Sequence, residues 1–349
     1  MGLIKSLKKA YSATLHVWEV SAKLDKLDRQ AKKIDQLKAE TERLAKELDD
    51  NTKYIARLQQ IYYESLYKGA VGDFDLKKFF RDMPPASGSL RLHQEGCTKL
   101  LEELAKICDK NEISFWLQSG TLLGAVRHGG FIPWDDDMDI GMMREDLYKL
   151  IDILKDNRDY TVKVVYDVNA CNRQYRFRTT DPKNPCFIDI FNHDFEETNP
   201  NFDWQAWRKR KDELSQEVYD DLPEEALKQW HKEVFVDDDS ELGKIIRRSM
   251  DKILPRKFHQ YSPENSQVVW QFDNLNTPHH SGFDYDEIFP FEKIKFEGKM
   301  YNAPHDTDRY LRSVFDNYYT LPKDIAVHYQ HVQQGGANDQ IIEEFLKKK

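Results

Sequence analysis

Between about Val20 and Tyr62, apolar residues return every three or four positions, and neither proline nor glycine interrupts the run before Gly69. One seam carries Val20, Leu27, Ile34, Thr41, Leu48, Ile55 and Tyr62, and the other Gln30, Leu37, Leu44, Asn51 and Leu58. Charged residues fill most positions between, which predicts a coiled coil, with a parallel dimer or trimer as the favoured reading. Thr41 and Asn51 on the seam weaken packing but fix register and strand number. The period also fits a long helix folded back on the rest of the chain. Ahead of it, Leu3, Ile4, Leu7 and Tyr11 alternate with Lys5, Lys8 and Lys9, so residues 1–20 form a basic amphipathic helix. That helix either lies on an anionic membrane surface or supplies the leading turns of the helix that follows. Met1-Gly2 with Ser6 fits the short myristoylation pattern, on which nothing is rested.

The pattern changes at Gly69, Gly72, Pro84, Pro85, Ser87 and Gly88, which mark a break and a domain boundary. A helix is predicted from Ser89 to Lys110, with Leu90, Leu92, Cys97, Leu100, Leu101, Leu104 and Ile107 on its apolar face. Ile113–Leu117 reads as a strand, Gly120–Val126 as a short helix, Asp137–Met142 as a strand and Arg144–Leu154 as a helix. Thr161–Tyr166, Arg173–Thr179 and Cys186–Phe191 read as further strands. Residues 203–254 switch to helical spacing, with Trp204, Trp207, Leu214 and Val218, then Leu227, Trp230 and Val234, spread among charges. Two or three helices are expected there, with Asp237-Asp238-Asp239 as a solvated loop. Strands return at Val268–Phe272 and Lys293–Phe296, followed by a helix at Asp308–Tyr318 and a polar tail ending in three lysines.

Composition narrows the class. The 349 residues are 40% apolar and include 19 Phe, 17 Tyr and 7 Trp, enough for a packed core. A net charge of −9 argues against a nucleic-acid binder, though not against a local basic site for a phosphorylated ligand. Cys97, Cys108, Cys171 and Cys186 form no CxxC pair and no metal-ligand spacing, so each is expected to be a buried free thiol in a reduced compartment. With no secretory signal and no run long enough to cross a bilayer, the expected location is cytoplasmic, with peripheral contact at the inner face of the plasma membrane through the basic start. His279, His280, His305, His328 and His331 match no zinc spacing and read as surface or loop residues, His328 being the one worth testing.

Chemistry concentrates in FWLQSGTLLGAVRHGGFIPWDDDMDIGMMR, Phe115 to Arg144. If Asp135, Asp137 and Asp139 alternate along a strand, they share one face and Asp136 points away. Carboxylates packed so closely repel, and a divalent cation such as magnesium, calcium or manganese relieves them. An acidic surface loop is the bland reading; Ile132, Pro133, Trp134, Met138, Ile140 and Met142 around the acids speak against it. Gly120 and Thr121 open a helix whose N-terminal amides suit phosphate oxygens. Asp189, alone in the apolar strand Cys186–Phe191, is the candidate further acid, or else the partner of a buried Arg176 or Arg178. Arg127 and His128 beside the Gly129-Gly130 turn are candidates to meet phosphate, with Arg144 weaker. Trp116 and Trp134 are expected in the core.

With these residues assembled, Trp116-Leu117 through Arg144 resembles the signature of the LicD family, which includes fukutin and fukutin-related protein. Later blocks agree: Phe289-Pro290-Phe291-Glu292, Phe296-Glu297-Gly298, Asn302, Pro304, Tyr310-Leu311 and Leu321-Pro322. The resemblance spans roughly residues 95–335. It departs where the family carries Tyr-Gly-Asp and this chain has Phe315-Asp316-Asn317, and the cysteine insertion of fukutin-related protein is absent. The resemblance implies an α+β fold, a nucleotidyltransferase-like mixed sheet with flanking helices, here preceded by the long N-terminal coiled-coil helix. The expected layout is 1–67 basic start and coiled coil, 68–88 linker, and 89–340 catalytic domain with 203–254 as a helical insertion. It further implies transfer of choline, ribitol or glycerol phosphate from a CDP-linked donor to a hydroxyl of a surface glycan or its lipid-linked precursor, with Mg2+ or Mn2+. By matching position, Asp137 and Asp139 are the metal ligands and Asp135 a third. Asp189 either completes the metal site or accepts the proton of the acceptor hydroxyl. A homo-oligomer through the coiled coil is expected. The alternatives are a nucleotidyltransferase acting on a sugar or small molecule, and a coiled-coil scaffold carrying an inactive domain.

Overall fold

The structure, a computed structural model, describes residues 30, 32–34, 37, 38, 40, 41, 43, 76–197, 204–254, 266–270, 273–275, 282–320 and 337–348. The basic start, most seam positions of the predicted coiled coil, and His279, His280, His328 and His331 lie outside the described residues. The chain divides into two compact units, one of residues 1–71 with 322–326, the other of residues 72–321 with 327–349. In the first, the described residues are helical. Ile34 and Leu37, both seam positions, are 52% and 58% exposed. Thr41 satisfies its hydroxyl within the helix, donating to the Leu37 carbonyl at 2.8 Å.

The second unit is α+β. Its sheet runs β1(Phe115–Leu117), β2(Asp139–Met143), β5(Phe187–Glu197), β4(Asn172–Thr179), β3(Tyr160–Asp167), β6(Phe235–Asp237) in spatial order. Only the β2–β5 pairing among these is parallel. The far half of β5 also pairs with β7(Ser266–Trp270), which pairs in turn with β8(Gly282–Asp284). A separate hairpin joins β9(Glu292–Phe296) to β10(Lys299–Ala303). Its two-residue turn puts Glu297 at φ 45° and Gly298 at φ 88°, the doubly positive φ that the twist of a tight hairpin requires.

The predicted strands and helices recur close to their expected bounds, beside the short strands β6, β8 and β10, which were not predicted. The Gly69–Gly88 break contains a helix, α1(Leu76–Arg81), ahead of α2(Gly88–Lys110). The polar tail is helix α10(Ala337–Lys347), whose Ile342 and Phe345 are buried against α2. Two apolar residues among charges make a faint stripe in sequence, yet Lys99 on α2 clasps the helix end, donating to the carbonyls of Phe345 and Leu346 at 2.9 and 3.1 Å. The acidic run 237–239 ends β6 and turns toward the next helix, with Asp237 and Asp239 exposed to solvent as expected and Asp238 half-buried. Asp238 accepts from Tyr166 Oη at 2.7 Å and pairs with Arg247, while Asp239 pairs with Lys163.

Between them lie α3(Ser119–Arg127) and α4(Arg144–Leu154), then the three helices of the insertion, α5(Trp204–Asp221), α6(Glu224–Glu233) and α7(Glu241–Ile253). Trp230, Leu214, Val218, Ile246 and Met250 from these three close over Tyr166 and Val168 at the β3 end of the sheet. Ser240 starts α7 by accepting the Gly243 amide at 2.9 Å, an N-cap bond of about 1 kcal/mol. Further on come α8(Tyr285–Ile288) and α9(Thr307–Phe315).

Candidate active site

The chain turns from β1 into α3 within two residues. Gln118 is extended and caps the helix, and Ser119 takes φ 48°. Close packing on the next strand sets the neighbours. A Cβ on Gly141 would fall 2.2 Å from the Trp116 indole, so that strand position admits only glycine. A Cβ on Gly120 would meet Asp135 Oδ2 at 2.9 Å. The helix start is tied to β2 by two further bonds: the Gln118 amide donates to the Asp139 carbonyl at 3.2 Å, and the Asp139 amide donates to Thr121 Oγ1 at 2.8 Å. The Gly120 amide donates to the Asp139 carboxylate. Thus Gly120 and Thr121, expected to receive phosphate, spend an amide and a hydroxyl lone pair on positioning Asp139.

The acids do come together, but not by strand alternation. β2 begins only at Asp139; Asp135 and Asp137 sit in the irregular segment before it. A turn made by the Asp135 amide on the Ile132 carbonyl (3.0 Å) and two bonds from Gln94 Nε2, to the carbonyls of Ile132 (3.2 Å) and Asp135 (2.8 Å), hold that segment. Asp136 leaves the cluster, its backbone engaging the His93 ring. Asp135 and Asp137 lie close enough for the Asp137 carboxylate to bear directly on that of Asp135. Asp189 lies directly beside Asp139, in register on the neighbouring parallel strand.

Burial pushes the Asp135 carboxyl well above the usual range, with Asp137, Asp139 and Asp136 adding repulsion. Asp139 is raised likewise, by burial first and then by Asp137 and Asp189. Asp189 is pushed up to about 6 by burial, against the pull of Arg176. Of the two arginines offered by the sequence, Arg176 is the partner, its Nε donating to Asp189 Oδ1 at 2.9 Å. Arg178 donates instead to the carbonyls of Pro182 and Asn184. A buried group of acids with one arginine between them is short of positive charge. Their oxygens are the donor type of a hard divalent cation, so the residues present fit magnesium or manganese.

The basic candidates are placed otherwise. Arg127 is 3% exposed; its guanidinium lies over the Phe80 ring at 4.5 Å and donates to the carbonyls of Tyr318 and Thr320 at 2.9 and 3.1 Å. His128 packs edge-on between Phe80 and Trp134, and burial holds its ring down at about 3, hence neutral. Arg144 makes a two-pronged pair with Asp194 (2.6 Å for both bonds) and reaches Asp273 at 3.0 Å, all within the core. Each is thus engaged by the fold rather than turned toward the acids. Trp116 and Trp134 are core residues, as expected.

Two residues beside the acids were missed. Gln118 is fully buried, and neither amide atom has a partner among the described residues. Tyr310 of α9 is buried beside Ser119 and Asp139. Gln118 had a sequence cue in its position next to Ser119-Gly120; Tyr310 had none from spacing, because α9 is remote in the chain.

Residues 112–237 match the family described as LicD/FKTN/FKRP, nucleotidyltransferase domain. This segment belongs to the LicD family. It contains β1 through β6 and all of Asp135, Asp137, Asp139 and Asp189. The lipopolysaccharide cholinephosphotransferase LicD of Haemophilus influenzae is 33% identical over 138 residues, 35% of this chain and 51% of that protein. The human ribitol 5-phosphate transferase FKRP is 42% identical over 55 residues, 15% of this chain and 11% of its own length. The yeast (Saccharomyces cerevisiae) mannosyltransferase regulator 4 is 29% identical over 131 residues, 36% of this chain and 11% of its own. The chain therefore spans about half of the LicD relative and a small part of the other two. Among the described residues, no helix is long and apolar enough to cross a membrane.

Proposed function

We propose that this protein is a metal-dependent phosphotransferase of nucleotidyltransferase-like fold, moving an alcohol phosphate such as choline, ribitol or glycerol phosphate from a CDP-linked donor to a hydroxyl of a surface glycan or its lipid-linked precursor. The observation that carries this reading is the pairing of Asp139 with Asp189 across parallel strands, beside Asp135 and Asp137 and against the start of α3. Relatives named for cholinephosphate and ribitol phosphate transfer support the class of group moved.

Asp137 and Asp139 are the principal metal ligands, with Asp135 and Asp189 flanking them. Magnesium, when bound, supplies positive charge that offsets the charge building on the leaving cytidine monophosphate. The remaining chemistry belongs to the chain. The Gly120 amide and Thr121 hydroxyl fix Asp139 before substrate arrives, so little reorganisation is left for the reaction itself. The unpartnered amide of Gln118 is available to a donor phosphate oxygen. Arg176 holds one oxygen of Asp189, orienting the carboxylate toward either metal or the acceptor proton. Magnesium titration of Asp189→Asn decides between these: unchanged metal affinity with lost turnover makes Asp189 the base, and weakened affinity makes it a ligand.

The test incubates the protein with CDP-choline, CDP-ribitol and CDP-glycerol and magnesium, following release of cytidine monophosphate. Release from one donor, lost in Asp137→Asn and in Asp139→Asn while their far-ultraviolet spectra stay unchanged, is the expected result. Incorporation of the nucleotide into an acceptor would assign nucleotidyl transfer instead. No turnover with any donor, and no magnesium-induced thermal shift, would leave the domain an inactive scaffold.

A further inference from the structure

Apart from the acids, a second set of ligand-type side chains meets in the interior. His93 and Cys97 stand one turn apart on α2, where residues four apart share a face, and Cys186 immediately precedes β5. His93 is 2% exposed and both thiols are fully buried. One ligand atom from each lies within 4.8 Å of the other two. Cys97 Sγ is 3.5 Å from His93 Nε2, and Cys186 Sγ is 3.9 Å from Nδ1. No disulfide joins the thiols. Packing accounts poorly for this choice, because an imidazole in a dry interior costs free energy that Leu or Met in its place would not. Two thiols with an imidazole are instead the soft donor set of thiophilic metals. The His93 ring also hydrogen-bonds the Asp136 backbone, the kind of outer bond that fixes the tautomer and orientation of a ligating histidine. The Phe187 carbonyl lies 3.6 Å from Cys97 Sγ, so further oxygen is at hand. Gly96 is needed here too, since a Cβ on it would strike Cys186 Sγ at 2.5 Å.

We propose that His93, Cys97 and Cys186 bind a thiophilic metal ion, Zn2+ or Cu+, in a structural site distinct from the acidic one. The site joins three segments: α2, the entry to β5, and through Asp136 the loop that carries Asp135 and Asp137. The metal would therefore brace both acid-bearing segments at once, Asp189 lying three residues beyond Cys186. This inference does not depend on the phosphotransferase reading, since it rests on a different donor set.

The full chain, purified under reducing conditions without chelator, is assayed for zinc and copper by elemental mass spectrometry, then stripped and reloaded with Co2+. Stoichiometric zinc or copper, and an intense near-ultraviolet thiolate-to-cobalt absorption, are expected; which element is found distinguishes the two ions. The absorption should vanish in Cys97→Ser and Cys186→Ser but persist in the Asp137→Asn, Asp139→Asn double variant. If either serine variant fails to fold, the wild-type spectrum and the loss of thermal stability on stripping the metal still carry the test. Absence of both metals and of the absorption, with the thiols fully reactive on unfolding, would reduce the cluster to a core of reduced thiols. A Cys97–Cys186 disulfide in the peptide map would equally overturn the proposal.

Discussion

Asp189 shows how the site works against the stability of its own fold. Its carboxyl is pushed from 3.8 up to about 6 by burial. A raised acid pKa means that the folded state holds a proton the unfolded chain has lost, so this residue destabilises the metal-free protein at neutral pH. The penalty is on the order of 2–3 kcal/mol and is relieved as pH falls through about 6 toward 3.8. Asp189→Asn, whose amide oxygen still accepts from Arg176, should melt higher than wild type near neutral pH without metal. Its lead should shrink as pH falls below about 6 and vanish only near pH 3.8. Comparing the two proteins removes His128 and His193, which are held at about 3 and pull the other way in both. Melting curves across pH check this, and a lead that grows on acidification would refute it. The acids were legible because carboxylates among Ile132, Trp134, Met138 and Ile140 have no ordinary reason to be there. Their geometry was less so, because a turn and Gln94 rather than a strand gather Asp135 and Asp137. The His93 cluster had no signature, since its members meet only after α2 packs on β5. Asp316 is a smaller case: it stands where the resembled family carries glycine and adopts φ 54°, ψ −113° at the end of α9. That conformation favours glycine, and the exposed side chain has little packing to lose. Asp316→Gly should stabilise the fold by about 1 kcal/mol in urea unfolding, and a destabilised variant would show that the aspartate side chain makes up for its backbone.

At the scale of elements, period and turn chemistry were enough for the strands that bear the site, because β3, β4 and β5 each have a face that must be apolar. They failed where an element is held by few apolar residues among charges. α10 presents two such residues, Ile342 and Phe345, to α2, and Ser89 Oγ adds a bond to Asp339 at 2.7 Å. Burial of a Phe and an Ile is worth roughly 3–6 kcal/mol together. α2 also supplies Gln94 to the acidic loop, so loosening its far face should reach the site. Phe345→Ala should cost about 3–5 kcal/mol, read by urea unfolding, and should weaken the magnesium-induced thermal shift more than a substitution on the insertion helices such as Leu214→Ala. Equal losses for the two would mean that α10 acts on global stability alone.

For the whole molecule, the charge pattern of residues 20–62 bears on assembly rather than chemistry, since the family match covers only residues 112–237. Ile34 and Leu37 are more than half exposed in the single chain, which is costly for apolar residues repeated along one helical face. Burying such a seam against a second copy removes that surface at about 25 cal/mol per Å², and Thr41, already bonded to its own helix, enters it without an unmet hydroxyl. Heptads carrying polar seam residues favour a defined register over maximal stability. Full-length protein should therefore be a parallel dimer or trimer by light scattering, and protein lacking residues 1–67 a monomer that keeps its donor turnover. Replacing Ile34 and Leu37 together by Glu should dissociate the full-length oligomer in the same measurement without touching the second unit. If the truncated protein keeps the oligomeric mass of the full chain, the association surface lies in residues 68–349, and the long helix has some other task.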